Sequence, residues 1–285
     1  MNQDADLSRM NHQKVGKPYS FSDMLVLAAF AVKCIFKIGY REAAGNVRDF
    51  LESIGMEPHP NFRTIQWRMS NMTKDNIKFM IQQKGKSDLK IIVDASGIKS
   101  KNDGEYRVVK YGKVKIWKKI HVAIDRMTHK ILNIGVTENN IADVEEFAPL
   151  LKPIVKLNDV DIVITDGGYD SEQNFEYCDG NNIETLIPVH VNAIKGKHKR
   201  KRIQEQLGYV FERGFPKRNL HLTKDAKRKN QDNWKRTSGY HSRSLVETFF
   251  SVFKGAFGEY TFSNNNEMKE KELLLKAVIY NRFLT

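Results

Sequence analysis

Three acids stand where a carboxylate could do chemistry. Asp94 closes the apolar run Ile91-Ile92-Val93, and Asp166 follows Ile162-Val163-Ile164-Thr165. Small residues come next in both cases, Ala95-Ser96-Gly97 and Gly167-Gly168. In α/β sheets ligands gather beyond the carboxyl ends of strands, so two such acids on neighbouring strands could share a metal ion. Taken singly, each Asp reads more readily as a cap or turn residue. The third acid, Glu247, belongs to the set Tyr240, Arg243, Glu247 and Lys254. At about 100° per residue these four fall in one stripe roughly 60° wide on a helical wheel. Leu245, Val246, Phe249, Phe250, Val252, Phe253, Ala256 and Phe257 take the rest of the circumference. An i,i+4 pair with Arg243 would by itself contribute only ~0.5 kcal/mol. A carboxylate at the edge of a core is costly unless compensated, and a metal ion would compensate it.

Oxygen-only donors suit Mg²⁺ or Mn²⁺. Two such ions about 3.5–4 Å apart activate the attacking oxygen of a phosphodiester cleavage and stabilise the departing one. Arg243 and Lys254 would then hold phosphates that the acids repel.

These residues need elements to position them. Ser22 is placed to cap a helix over 23–38, with further helices over 41–54 and from Asn61 or Thr64 to Met72, and another starting near Thr73. Residues 1–18 read as a loose leader. The first 85 residues are thus a small all-α module. From residue 86 the pattern changes. Strands are predicted over 89–94, 119–125, 130–137, 161–165 and 183–188, with a turn at 126–129. Helices are predicted over 141–155, from the Ser171 cap to Cys178, and around Glu247. A three-stranded start followed by α/β units makes a mixed sheet flanked by helices.

The 285 residues carry Lys+Arg 47 against Asp+Glu 34, a formal net charge of +13. That excess points to an anionic polymer or surface as partner. Much of it lies in a basic stretch over about 195–235, read as a loop that tracks phosphates. Lys199, Arg200, Lys201 and Arg202 lead it, and Arg213, Lys217, Arg218, Lys224, Lys227, Arg228 and Lys229 continue it. Trp234 reads as a packing residue more readily than as a base-stacking one. The two cysteines, Cys34 and Cys178, form no ligand pair and read as buried thiols, as in a cytoplasmic, nucleoid-associated protein. The apolar run over 24–38 is broken by Lys33 and Lys37, so no membrane span is expected.

The set Tyr240-x2-Arg243-x3-Glu247-x6-Lys254 resembles the YREK signature of DDE transposases from prokaryotic insertion sequences. Val93-Asp94-Ala95-Ser96-Gly97-Ile98-Lys99 and Thr165-Asp166-Gly167-Gly168-Tyr169-Asp170 are similar to that family's two Asp motifs. The resemblance covers about 89–283. It implies a ribonuclease H-like catalytic domain over 86–285, with Asp94, Asp166 and Glu247 catalytic and binding two Mg²⁺ or Mn²⁺ ions. It implies hydrolysis that frees 3′-OH ends and their joining to target DNA. Tyr240, Arg243 and Lys254 would contact the DNA end, and the N-terminal module would read terminal inverted repeats. Members act as homodimers or larger assemblies on double-stranded DNA. The stretch between Asp166 and Glu247 is too short for the large β-rich insertion that some members carry. The chain's last residues, Asn281 to Thr285, end abruptly, which raises a shortened copy as an alternative.

A second reading is a catalytically inactive, transposase-derived DNA-binding protein. A third, a small-molecule phosphohydrolase with Asp94 as nucleophile, is disfavoured because position 96 is Ser where a second Asp is usual.

Overall fold

β-Branched residues in 89–100, 117–125 and 131–138 build three strands. The computed structural model describes residues 3–56, 59–100, 117–190, 195–208, 223–263 and 265–284. The chain divides into two units, Met1–Met80 with Phe253–Leu284, and Ile81–Val252. Each is described by itself.

The second unit carries the sheet. Strands β1 (Leu89–Ser100), β2 (Trp117–Asp125), β3 (Ile131–Glu138), β4 (Val160–Ile164) and β5 (Glu184–Leu186) lie in the order β3-β2-β1-β4-β5. The β1–β2 and β2–β3 pairs are antiparallel, and β1–β4 and β4–β5 are parallel. Antiparallel strands can be joined by tight turns, and Asp125 makes the β2–β3 turn. Its carboxylate accepts from the Met127 amide at 2.9 Å, from Thr128 Oγ1 at 2.7 Å and from Lys86 Nζ at 2.8 Å. Parallel neighbours need crossovers, supplied by helices over 143–155 and 172–180. The core is aliphatic and aromatic, with Ile91, Val93, Ile120, Val122, Phe147, Leu151 and Phe175 almost wholly buried. Three antiparallel strands followed by two parallel ones, with helices packed on the sheet, is the ribonuclease H-like arrangement expected from the sequence.

Numbered through the chain, the helices are α1 (Gln3–Asn11), α2 (Asp23–Phe36), α3 (Tyr40–Ser53), α4 (Phe62–Asn71), α5 (Lys74–Ile81), α6 (Asp143–Val155) and α7 (Glu172–Gly180). They continue as α8 (His198–Gln206), α9 (Lys224–Thr237), α10 (Ser244–Phe257) and α11 (Asn266–Ile279). The caps follow the sequence logic. Ser22 accepts from Leu25 N, Asn61 from Thr64 N and Ser171 from Asn174 N.

In the first unit α2, α3 and α4 pack on one another, and α11 packs on α2. Its interior holds charge. Lys33 Nζ lies 4.7–5.7 Å from the ring centroids of Phe30, Tyr40 and Phe262, a cation–π seat. Glu272, buried in α11, pairs with Lys276 at 2.9 Å and accepts from the Phe262 and Ser263 amides.

Several expectations are corrected. Residues 3–11 form α1 rather than a loose leader. Asn11 ties its end down by bonding both the amide and the carbonyl of Tyr19. Strand β1 runs on past Asp94 to Ser100, because β2 keeps pairing with it as far as Lys99↔Trp117. The basic stretch contains two helices, α8 and α9, anchored by buried Ile203, Leu207 and Trp234. Arg213, Lys217 and Arg218 lie outside the described residues. Cys34 and Cys178 are buried free thiols, as expected. Among the described residues, no helix is long and apolar enough to cross a membrane.

Candidate active site

Asp94 and Asp166 meet because of sheet register. The parallel β1–β4 pairing ends at Ile92↔Ile164. Each aspartate lies two residues further on, so both side chains fall on one face of adjacent strands, about 5 Å apart at the strand spacing. Asp94 is mid-strand in β1, while Asp166 caps the 3₁₀ turn Gly167–Tyr169. Both are held in the same way. Asp94 Oδ1 accepts from the Ala95 amide at 2.9 Å, and Asp166 Oδ1 accepts from the Gly168 amide at 2.9 Å. A Cβ at residue 168 would meet Asp166 Oδ1 at 3.0 Å, so glycine there leaves the carboxylate its seat. In each aspartate this leaves Oδ2 for the shared centre.

Arg243 fills that centre. Its Nη2 donates to Asp94 Oδ2 at 3.1 Å and stands 3.7 Å from Asp166 Oδ2, while Nη1 donates to Glu247 Oε1 at 3.0 Å. Three carboxylates far apart in sequence thus converge on one guanidinium. Burial works against the Arg243 charge, but Asp94 first, then Tyr240, Asp166 and Glu247, outweigh it and raise its pKa. Asp94 shifts upward. Its burial is the main cause and Asp166 and Asp143 add to it, against the Ala95 amide and Arg243.

The helix carrying Glu247 differs from the expected one. Tyr240–Arg243 is a 3₁₀ turn after Gly239 (φ 77°), and the α-helix begins at Ser244. The single α-helical stripe from Tyr240 to Lys254 therefore does not exist as drawn. Nor is Glu247 at the edge of a core, since its side chain is 65% exposed. Ser244, Thr248, Ser251, Val252 and Gly255 share its open face, while Val246, Phe249, Phe250 and Phe253 are buried. What survives is the local i,i+4 contact between Arg243 and Glu247. Tyr240 packs on Trp234, with ring centroids 5.8 Å apart. Burial pushes its phenol up to about 12, so it remains a proton donor at neutral pH. Trp234 is buried and packs rather than presenting a face to bases. Lys254, half-buried, lies about two turns beyond Glu247 on α10.

The four leading cations of the basic stretch are engaged in ion pairs. Arg200 is buried and forks onto Asp170, with Nε at 2.8 Å from Oδ1 and Nη2 at 3.1 Å from Oδ2, and reaches Glu172 at 3.3 Å. Asp170 also accepts from the His190 amide at 2.9 Å. Arg200 thereby clamps the loop that follows Asp166. Lys199 pairs with Asp179, Lys201 with Glu205 and Arg202 with Glu184. Arg228, Lys229 and Arg236, exposed on α9, have no acidic partner among the described residues.

Sequence reasoning missed three neighbours. Asp143 opens α6, salt-bridges Lys119 at 3.0 Å and lies 3.7 Å from His121 Nδ1. His121 is fully buried, bonds Thr137 through Nε2 at 2.9 Å, and pairs across the sheet with Ala95. Burial lowers its pKa to about 4, with Lys119 acting in the same direction and Asp143 opposing it. The Tyr169 hydroxyl is buried without a hydrogen-bond partner among the described residues, and Asp143, Asp94 and Asp166 all act on it. Only the β1–β2 register could have pointed to His121.

Among the described residues, no three His, Cys, Asp or Glu side chains stand close enough together to hold a metal ion as they are. The donor chemistry nevertheless fits a hard divalent cation. Three carboxylates each turn an oxygen to one guanidinium, Asp94 and Asp166 to Nη2 and Glu247 to Nη1, and carboxylate oxygens are the donors such a cation takes.

Residues 85–282 match the family described as "Transposase DDE domain", and residues 1–103 match a second family of the same description. Solved structures with a similar arrangement include the piggyBac transposase synaptic complex with hairpin DNA, at 11% identity and TM-score 0.45, covering 97% of this chain and 69% of that one. The Drosophila P element transposase strand transfer complex matches at 13% identity and TM-score 0.35, covering 96% and 67%. The HTLV-2 integrase catalytic core domain in complex with magnesium matches at 13% identity and TM-score 0.26, covering 54% and 88%.

Proposed function

This chain belongs to the DDE transposases, and we propose that within that family it cuts and joins DNA with Asp94, Asp166 and Glu247 as its catalytic acids. The observation that carries the reading is the convergence of these three carboxylates on one guanidinium. The family's chemistry runs on divalent metal ions. A pair of Mg²⁺ or Mn²⁺ ions would supply activation of the attacking oxygen and stabilisation of the leaving one.

The protein's own part is positioning. Asp94 and Asp166, each pinned through Oδ1, present Oδ2 at a fixed spacing. Glu247, on an exposed helical face, closes on the site by a side-chain rotation. The Tyr240 phenol donates to a phosphate oxygen, and Lys254 holds a phosphate at the DNA end. The DNA flank is held by Arg228, Lys229 and Arg236 of α9, joined by Lys201 and Arg202, whose ion pairs are exposed and contribute little. Arg200 is assigned to loop clamping. The helices of the first unit read the terminal inverted repeats of a prokaryotic insertion sequence of the YREK group, and copies pair on double-stranded DNA.

The test is metal-dependent nicking of a duplex carrying the element's ends. Glu247→Gln and Asp94→Asn are expected to lower the rate at least ~100-fold while keeping the circular-dichroism spectrum. Parental rates in both variants, in Mg²⁺ and in Mn²⁺, would refute the assignment.

A further inference from the structure

We propose that Arg243 is a built-in placeholder for the metal, offsetting part of the charge of the three acids in the free protein and yielding its place when a DNA phosphate draws it away. The inference rests on the reading above and adds an order of events to it. One guanidinium stands 3.0–3.7 Å from carboxylates supplied by β1, by the loop after β4 and by α10. A divalent ion ligated by the same oxygens would lie against that guanidinium, and two cations cannot share so small a space at low cost. Arg243 and the metal are therefore competitors for one site.

The seat also suits an arginine imperfectly. Nη1 and Nη2 donate to carboxylates, but Nε is buried with no hydrogen-bond partner among the described residues. A phosphate approached edge-on could take two N–H bonds at once, the geometry that arginine favours. The backbone allows the move. Arg243 is the last residue of a 3₁₀ turn, whose hydrogen bonds are weaker than those of an α-helix, and Gly239 precedes that turn at φ 77°. The exit is open, because Asp166 is 41% and Glu247 65% exposed, against 14% for Asp94.

The consequence is linkage. If DNA removes Arg243 from the acids, DNA strengthens metal binding, and metal strengthens DNA binding by the same factor. The free protein would keep its acids tied to one cation, and the metal centre would assemble on substrate.

The test is a Mn²⁺ titration of the full chain without DNA, read by loss of the free-ion electron paramagnetic resonance signal. Arg243→Gln is expected to bind Mn²⁺ about ten-fold more tightly than the parent, within the range usual for site-to-site coupling. Arg243→Lys, which keeps the charge but loses the fork, is expected to fall between the two. Affinity in Arg243→Gln equal to or weaker than the parent's overturns the placeholder. If that variant does not fold, Arg243→Lys decides by the same criterion. Adding Asp94→Asn to Arg243→Gln separates the two readings. Loss of the tight Mn²⁺ site supports both. Unchanged Mn²⁺ binding puts the ion elsewhere and removes the catalytic assignment. Loss of the site in the double variant, without any gain in the single one, leaves the catalytic reading standing and removes only the placeholder.

Discussion

Asp94 and Asp166 each commit one carboxylate oxygen to a neighbouring amide and turn the other to the same point. Among the described residues Glu247 has no such anchor, and its orientation rests on Arg243. The three acids should therefore respond differently to change. Behind them His121 is buried and neutral. Its ordinary pKa is 6.5, and in the folded protein it falls to about 4. Between those values the unfolded chain binds the extra proton and the folded chain does not. The stability this contributes is complete above about pH 6.5 and is lost as the pH falls toward 4, a change of order 3 kcal/mol. Thermal melts between pH 7 and 4 should show the loss. The substitution His121→Leu should flatten that part of the profile, and an unchanged slope would remove His121 as its source. Asp143, Lys119 and Thr137, which face the ring, remain in that variant.

At the level of elements, the candidate site rests on one register and one helix start. The Arg243–Glu247 contact was legible in the sequence because i,i+4 spacing is local. That Asp94 and Asp166 end strands was partly legible too, although β1 continues beyond its acid. Their adjacency was not, because parallel pairing is set by packing between distant segments. The exposure of Glu247 was misread because the wheel assumed a continuous α-helix from Tyr240. Helices α8 and α9 were hidden by composition. Dense Lys and Arg leave few apolar positions to mark a period, and Ile203, Leu207 and Trp234 are too few to stand out. The two helices should also behave differently. Neutralising Arg228, Lys229 and Arg236 together should weaken DNA binding and lower the slope of log affinity against log salt by about 2–3. Replacing Arg200 by Gln should instead lower the melting temperature with little change in that slope. Equal slopes for the parent and the α9 variant would take DNA contact away from α9.

At the scale of the molecule, the excess of positive charge and the two-unit division frame everything else. The helical module expected over residues 1–85 is, in space, residues 1–80 together with 253–284. Within that unit α11 packs on α2, and Lys74 pairs with Glu270. Lys271 donates to the Ser70 carbonyl at 2.9 Å. A fragment of residues 1–85 is expected to lack cooperative thermal unfolding, and a mixture with a 253–284 peptide to regain helical signal. A sharp melt for the short fragment alone would show that its helices need no partner.

That discontinuity bears on how the protein comes into being. On a ribosome adding about 5–20 residues per second, roughly 10–35 s separate residue 80 from residue 253. For that interval α2 has no α11 to cover it, while strands β1 to β5, which lie before residue 190, can already pair. The nascent chain thus gains its acid-bearing strands before the packing of its first helices is complete, and translation itself sets the order in which the two units form.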